Sequence, residues 1–74
     1  MMRPKKTPTY PQLAVFGQTL VGMGYSQEMG RVKDRPPASF DFYLKELSAE
    51  IDANALKSAC FAAGIDLVTD EEQS

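Results

Sequence analysis

The sequence predicts a small, mainly α-helical single domain of three helices. The clearest observation is a pair of apolar runs with helical spacing on either side of a polar break at residues 52–54. The first run is Phe40, Tyr43, Leu44, Leu47 and Ile51, and the second is Leu56, Ala59, Cys60 and Ala63. A length of 74 residues, with 43% hydrophobic and 24% charged residues, is typical of one globular domain with a modest core.

The chain begins with residues 1–8, which we interpret as a flexible basic arm. This arm contains two prolines and three positive charges, and it has almost no apolar surface to bury. We expect the helical domain to occupy residues 9–68. Residues 69–74 are acidic and polar, so we expect them to form a disordered tail.

The first helix is predicted over residues 10–21. Thr9 and Gln12 match the capping-box pattern that marks the N-terminus of a helix. Gly17 lies beside the apolar face of this helix, where the missing side chain would let another helix come close. An alternative stays open at this point, in which residues 12–25 form a short hairpin within an α+β fold.

Residues 24–37, which we call the connector, are the least regular part of the sequence. Two adjacent prolines at positions 36 and 37 favour an extended chain before the next helix. The connector is also basic, because it carries Arg31, Lys33 and Arg35. Loops of this length within a small domain are often functional or mobile.

The second helix is expected to begin after Ser39 and to run to about Ile51. Serine is a favoured N-cap residue, because its hydroxyl can accept a hydrogen bond from a free backbone N–H of the first turn. Asp41 would lie in that first turn, where a negative charge interacts favourably with the helix dipole.

The third helix is expected over residues 53–63, with Asp52 as its N-cap. Gly64 suits the left-handed conformation that often follows a helix. Ile65 would then fold back onto Cys60, as in a Schellman motif.

Composition argues against an enzyme. The chain has no histidine, so it lacks the commonest proton shuttle and the commonest metal ligand. Cys60 is placed with Phe61 on a predicted buried face, where a thiol is inert. Glu46 and Glu50 share a helix face and residues 70–72 are acidic, but both groups are typical of solvated surfaces. The glycines form no phosphate-binding motif, so we expect no catalytic residue, no metal site and no cofactor.

A lone cysteine is typical of a reducing compartment, and we therefore expect a cytoplasmic protein. Residues 7–27 carry no charge and follow three basic residues, which is the order found in a secretory signal. The apolar part of this stretch is interrupted at residues 17–19 and no small-residue cleavage site follows it. It is also too short to span a membrane.

The charges are distributed unevenly along the chain. Residues 1–35 contain six basic and two acidic residues, whereas residues 36–74 contain two basic and eight acidic residues. Such an asymmetry is compatible with a polar interaction surface or with head-to-tail pairing. A homodimer is a further alternative, because small domains often complete their core with a second copy.

The segment from Leu44 to Ile65 resembles a helix-turn-helix in its layout of apolar positions and its short turn. Leu47 and Ser48 stand where the first helix of that motif usually has a Leu-Ala pair, and Asp52 stands where the turn usually has glycine. The resemblance implies a small DNA-binding regulator, which is our alternative function. Its nucleic-acid contacts would be Asn54, Lys57 and Ser58 on the third helix, and Arg3, Lys5 and Lys6 on the arm.

Protein binding is the function that the sequence favours. We predict a non-catalytic binding module, an adaptor or an inhibitor that acts by protein–protein contact. Exposed aromatic residues and methionine anchor many interfaces, and basic residues steer the encounter with a partner. The predicted contact residues are Tyr25, Met29, Arg31, Lys33, Arg35 and Phe42.

Overall fold

The computed structural model describes residues 3–68 of the chain. This part contains three α-helices, two short 3₁₀ segments and a pair of two-residue strands. The helices are α1 (Tyr10–Gly22), α2 (Phe40–Leu47) and α3 (Ala53–Ala62), the 3₁₀ segments are Met29–Asp34 and Pro37–Ser39, and the strands are β1 (Arg3–Pro4) and β2 (Leu67–Val68). The mainly α-helical prediction is confirmed. The alternative hairpin over residues 12–25 is wrong, because most of that segment lies in α1. The expected acidic tail, residues 69–74, lies outside the described residues.

Helix α1 begins with the predicted capping box. The backbone N–H of Gln12 donates to the Thr9 hydroxyl at 3.3 Å, and the Thr9 N–H donates to the Gln12 side-chain oxygen at 2.9 Å. The side-chain nitrogen of Gln12 also donates to the Gly64 carbonyl at 3.0 Å. Gln12 thereby links the start of α1 to Gly64, which lies two residues after the end of α3.

The two longest helices both end in a glycine with positive φ. Gly24 follows α1 with a φ of 100°, and Gly64 follows α3 with a φ of 76°. The next residue folds back in each case: the Tyr25 N–H donates to the Leu20 carbonyl at 3.2 Å, and the Ile65 N–H donates to the Cys60 carbonyl at 2.9 Å. Both ends are Schellman motifs, and the predicted end of the third helix is confirmed.

Helix α2 is shorter than expected and starts differently. It ends at Leu47 rather than at Ile51. Ile51 lies in the turn that follows, where its N–H donates to the Leu47 carbonyl at 2.8 Å and its side chain is buried. The Ser48 hydroxyl donates to the Lys45 carbonyl at 2.7 Å, a local bond that competes with helix continuation. Ser39 makes no side-chain cap: its backbone, with φ −93° and ψ 6°, lacks the extended conformation of a typical N-cap, and its hydroxyl donates to the Pro36 carbonyl at 2.8 Å.

The core lies where α1, α2 and α3 meet the connector. Phe16 of α1 and Phe40 of α2 pack edge to face, with ring centroids 5.3 Å apart and an angle of 84° between the rings. Val32 of the 3₁₀ segment is also buried against these helices. The other core residues are Leu13, Leu20, Tyr43, Leu44, Leu47, Ile51, Leu56, Ala59, Cys60 and Ile65.

The two ends of the described chain are paired. Arg3 lies opposite Val68 and Pro4 opposite Leu67 in an antiparallel ladder, and the Lys5 N–H donates to the Asp66 carbonyl at 2.9 Å. Pro8 is buried. The described part of the arm, residues 3–8, is therefore attached to the domain rather than free, because backbone hydrogen bonds and proline burial compensate for its lack of apolar side chains.

Gly17 of α1 and Gly30 of the connector are in direct backbone contact. A methyl group on Gly17 would collide with the Gly30 carbonyl oxygen, and one on Gly30 would lie 3.0 Å from the Gly17 carbonyl oxygen. Gly17 thus permits the close approach that the sequence predicts, although the neighbour is a 3₁₀ segment rather than an α-helix.

We therefore expect Gly17→Ala to lower the free energy of unfolding by about 1–3 kcal/mol, since the added methyl group meets backbone that cannot move aside. Gly22→Ala is the matched control within α1, because nothing lies within 4 Å of its would-be methyl group. That variant should be neutral or more stable by up to about 1 kcal/mol. Urea unfolding followed by circular dichroism measures the free energy of unfolding of both variants. Equal changes in the two variants would contradict the close contact between Gly17 and Gly30.

Candidate functional site

A groove of about 890 Å³ is lined by α1 and the connector, beside their contact at Gly17 and Gly30. We call it the connector groove. Its α1 wall includes Gln18 and Val21, and the opposite wall includes Arg31, Lys33 and Asp34. The Arg31 guanidinium lies 3.5 Å from the Asp34 carboxylate, and both side chains are largely exposed, so this ion pair adds little stability. The groove thus combines uncharged helix surface on one side with charged side chains on the other.

A second groove, of about 360 Å³, lies between the connector and α2. We call it the tyrosine groove, because Tyr43 lines it together with Met29, Arg35, Glu46 and Glu50. The Tyr43 hydroxyl donates to the Met29 carbonyl at 2.8 Å. The Arg35 guanidinium lies 4.8 Å from the centre of the Tyr43 ring, which is cation–π geometry. These two contacts attach the connector to α2.

The tyrosine groove perturbs the Tyr43 hydroxyl. Burial raises the pKa of Tyr43 because the ionised form is desolvated, and the nearby carboxylates of Glu46 and Glu28 raise it further, whereas Arg35 opposes the shift. The neutral phenol is therefore favoured, and it is the form that donates to the Met29 carbonyl. Glu46 and Glu50, which the sequence assigned to a solvated face, are both exposed along the rim of this groove.

The predicted partner-contact residues are divided between these surfaces. Arg31 and Lys33 line the connector groove, whereas Met29 and Arg35 line the tyrosine groove. Phe42 and Tyr25 line neither of these two grooves: Phe42 is 62% exposed on α2, and Tyr25 is half-buried against the core. Arg35 and Met29 also contact Tyr43 and so attach the connector to α2. Composition alone could not predict this structural role.

Sequence reasoning missed the outward face of α1. Within residues 3–68, six large hydrophobic side chains are exposed, and four of them lie on α1 or directly after it. These four are Tyr10, Val15, Val21 and Met23. The signal was available, because residues 7–27 carry no charge, whereas the solvent-exposed face of a helix normally carries charged and polar residues.

Helix α3 presents its outer face to solvent. Asn54, Lys57 and Ser58, the predicted nucleic-acid contacts of this helix, are all exposed. Phe61 is 86% exposed on α3, so its expected place on a buried face is wrong. The reason is the helix phase: Leu56, Ala59 and Cys60 occupy the inward positions, and residue 61 turns away from them.

The basic arm lies at the end of the domain that contains β2. Lys6 lines a cleft of about 270 Å³ together with Gly64 and Asp66, which lie in the segment after α3. Arg3 and Lys5 are exposed on and beside β1. The arm therefore lies beside the C-terminal end of α3, whereas Asn54, Lys57 and Ser58 lie on the first two turns of that helix.

No protein-family model, no curated protein and no solved structure matches this chain. Among the helices of residues 3–68, none has the length and apolar character needed to cross a bilayer. In the same part of the chain, no three His, Cys, Asp or Glu residues are grouped so that they could hold a metal ion.

Cys60 is fully buried in the core, and burial raises the pKa of its thiol to about 12 because the thiolate would be desolvated. An unfolded cysteine has a pKa of about 8.5. Between these two values the unfolded chain binds fewer protons than the folded chain. The contribution of Cys60 to stability is therefore complete below about pH 8.5 and is lost as the pH rises toward 12.

We expect the free energy of unfolding to fall from about pH 8.5 upward, and Cys60→Ala to reduce the slope of that fall. Part of the slope should persist above about pH 10, because the raised pKa of Tyr43 acts in the same direction. Urea unfolding at a series of pH values measures the slope. Parallel curves for the two proteins would show that the thiol does not titrate on unfolding.

Proposed function

We propose that the chain is a non-catalytic binding module, an adaptor or inhibitor that acts by protein–protein contact. The observation that carries this proposal is the connector groove, which joins an uncharged wall on α1 to a wall that carries Arg31 and Lys33 together with Glu28 and Asp34. Apolar surface in a groove contributes affinity through burial, and exposed charges at its edge steer the encounter. The partner that fits is a protein segment with an apolar side chain next to charged residues.

The mechanism would be recruitment or occlusion of that partner. Gly17 and Gly30, which are in direct backbone contact, both line the connector groove, so the groove exists before a partner arrives and little ordering is needed. Phe42 adds an exposed aromatic ring on α2 as a second anchor. We place the protein in the cytoplasm, because a reducing compartment suits a single free thiol.

We expect charge reversal of Arg31→Glu with Lys33→Glu to abolish capture of the partner, because the steering charges on one wall of the groove change sign. Arg35 is left unchanged in this variant, since its contact with Tyr43 attaches the connector to α2. A pull-down from lysate with mass spectrometry measures the capture. Circular dichroism should show the same helix content as the unaltered protein.

Lys45→Glu with Lys57→Glu is the matched control. Both lysines are exposed on helices away from the connector groove, and the change in net charge is the same. This variant should capture the partner at the level of the unaltered protein. Equal losses in the two double variants would mean that net charge, and not the groove, governs capture, and the proposal would fail.

A second candidate function is a small helix-turn-helix-like DNA-binding regulator. It is supported by the placement of α2 and α3 on either side of a short turn, with Asn54, Lys57 and Ser58 exposed along the outer face of α3. Recognition helices present short polar and basic side chains to base edges in this way. The basic arm at the end of α3 would contact phosphates.

For this candidate, we expect a gel shift with duplex DNA at about 50 mM salt that weakens steeply as salt rises, because phosphate contacts release counterions. Lys57→Ala together with Lys6→Ala should weaken the shift and reduce its salt dependence. Lys33→Ala with Lys45→Ala is the control with equal charge. Absence of a shift at micromolar protein and low salt would exclude this function.

A further inference from the structure

The backbone of the connector is hydrogen-bonded mainly to itself. The Gly30 N–H donates to the Ser26 carbonyl at 3.2 Å, and the Arg35 N–H donates to the Val32 carbonyl at 3.0 Å. Within the described residues, no backbone hydrogen bond joins residues 26–36 to α1, α2 or α3. Movement of the connector away from the helices therefore breaks none of these backbone hydrogen bonds.

Few side chains attach the connector to the helices. In this segment, all of which the structure describes, Val32 is the one buried residue and Met29 is half-buried, whereas α1 and α2 bury four residues each and α3 buries three. Tyr43 adds the hydrogen bond to the Met29 carbonyl and the contact with Arg35. Segments with few buried apolar contacts open at a lower free energy than the core of a domain.

Both ends of this segment lie outside helices and strands. Residues 25 and 26 follow the end of α1, and Arg35 is extended, with φ −102° and ψ 151°. Residues of this kind absorb the backbone rotations of hinge motions. The chain is fixed beyond these points, because the Tyr25 N–H is bonded to α1 and Phe40 is buried. Residues 26–35 thus form a short segment that can rotate about the line joining its two ends.

We propose that residues 26–35 form a strap that opens as one unit while the three helices stay packed, with Tyr43 as the latch that holds the strap closed. Opening separates Gly30 from Gly17, exposes Val32 and breaks the hydrogen bond of the Tyr43 hydroxyl. The closed strap is the major state, and the open strap is a minor state in equilibrium with it.

The helices keep their mutual contacts when the strap opens. Phe16 of α1 packs against Phe40 of α2, and Gln12 of α1 bonds to the Gly64 carbonyl after α3. Neither contact involves a residue of the strap. The opening is therefore a local event, distinct from global unfolding.

Strap opening affects both grooves at once. Residues of the strap form one wall of the connector groove and one wall of the tyrosine groove, so both grooves exist only in the closed state. A partner in the connector groove would bind only the closed state, and loss of the latch would in turn weaken that partner's binding. This coupling rests on the proposed function, whereas the opening itself does not and can be measured without a partner.

Thiol labelling of a Val32→Cys variant of the full chain measures the opening. Cysteine is small and commonly buried, so the fold should persist, which circular dichroism checks. The introduced thiol reacts with iodoacetamide when the strap opens, whereas Cys60 reacts only when the core unfolds. Peptide mass spectrometry measures both rates in one sample, each relative to its rate in the unfolded chain. Position 32 should react at least about tenfold faster than Cys60, with a weaker dependence on urea.

Further substitutions in the Val32→Cys protein separate the latch from the core. Tyr43→Phe removes the hydroxyl and keeps the ring, and it should speed reaction at position 32 about three- to tenfold, because opening then breaks no hydrogen bond. Tyr10→Phe is the matched control and should leave that rate unchanged, since Tyr10 is exposed and lines neither groove. Ala59→Gly weakens α3, so it should speed reaction of Cys60 about fivefold and leave position 32 unchanged.

Trypsin gives a second measurement on the unaltered protein. Once released, the short 3₁₀ segment has no tertiary support, so cleavage after Arg31 and Lys33 should depend less on urea than cleavage after Lys57 in α3. Equal urea dependence at these three sites would contradict the proposal.

Two labelling outcomes would also overturn it. Equal rates at position 32 and Cys60, or equal acceleration of both by Ala59→Gly, would show that only global unfolding exposes Val32. An unchanged rate at position 32 in Tyr43→Phe would exclude Tyr43 as the latch. Capture of a partner by the connector groove is tested separately with the Arg31→Glu and Lys33→Glu variant, so the two proposals fail on different measurements.

Discussion

The contact on which the rest of the structure depends is the backbone crossing of α1 and the connector at Gly17 and Gly30. Because neither residue has a side chain there, the connector lies directly against the helix rather than looping out into solvent. That position buries Val32 and brings the Met29 carbonyl to the Tyr43 hydroxyl, which links the connector to α2 as well. The connector, fourteen residues without an α-helix, is thereby attached to α1 and to α2. The connector groove lies between the connector and α1, and the tyrosine groove lies between the connector and α2.

The helical core around this crossing is built from apolar packing and from well-formed helix ends. At both ends of α1 and at the C-terminal end of α3, local hydrogen bonds satisfy backbone groups that the helix leaves free. The Gln12 side chain links the start of α1 to Gly64, which lies after α3. The single cysteine excludes an internal disulfide, so packing has to supply most of the stability of a small domain. Helix α1 supplies core residues from its buried face, and it also carries three of the six large hydrophobic side chains that are exposed within residues 3–68.

Residue type alone located part of the candidate surfaces. Arg31 and Lys33 are exposed, as expected of basic residues in an irregular segment, and Phe42 faces solvent because Phe40 and Tyr43 take the inward positions of α2. The partition of the connector charges between two grooves could not be predicted, because it depends on how a 3₁₀ segment crosses a distant helix. The exposure of Phe61 follows from the phase of α3, because Leu56, Ala59 and Cys60 occupy the inward positions; hydrophobicity alone predicts the opposite.

The sequence by itself determined the helical class, the Thr9 capping box, the Asp52 cap and the glycine-terminated end of α3, because these features follow from interactions within a few residues of chain. It also indicated that Gly17 would accept a close neighbour. Only the tertiary structure decided which neighbour that is and that the arm pairs with β2. These outcomes depend on contacts between residues far apart in the chain, and local propensity contains no information about which distant backbone will satisfy a free N–H or fill an open space.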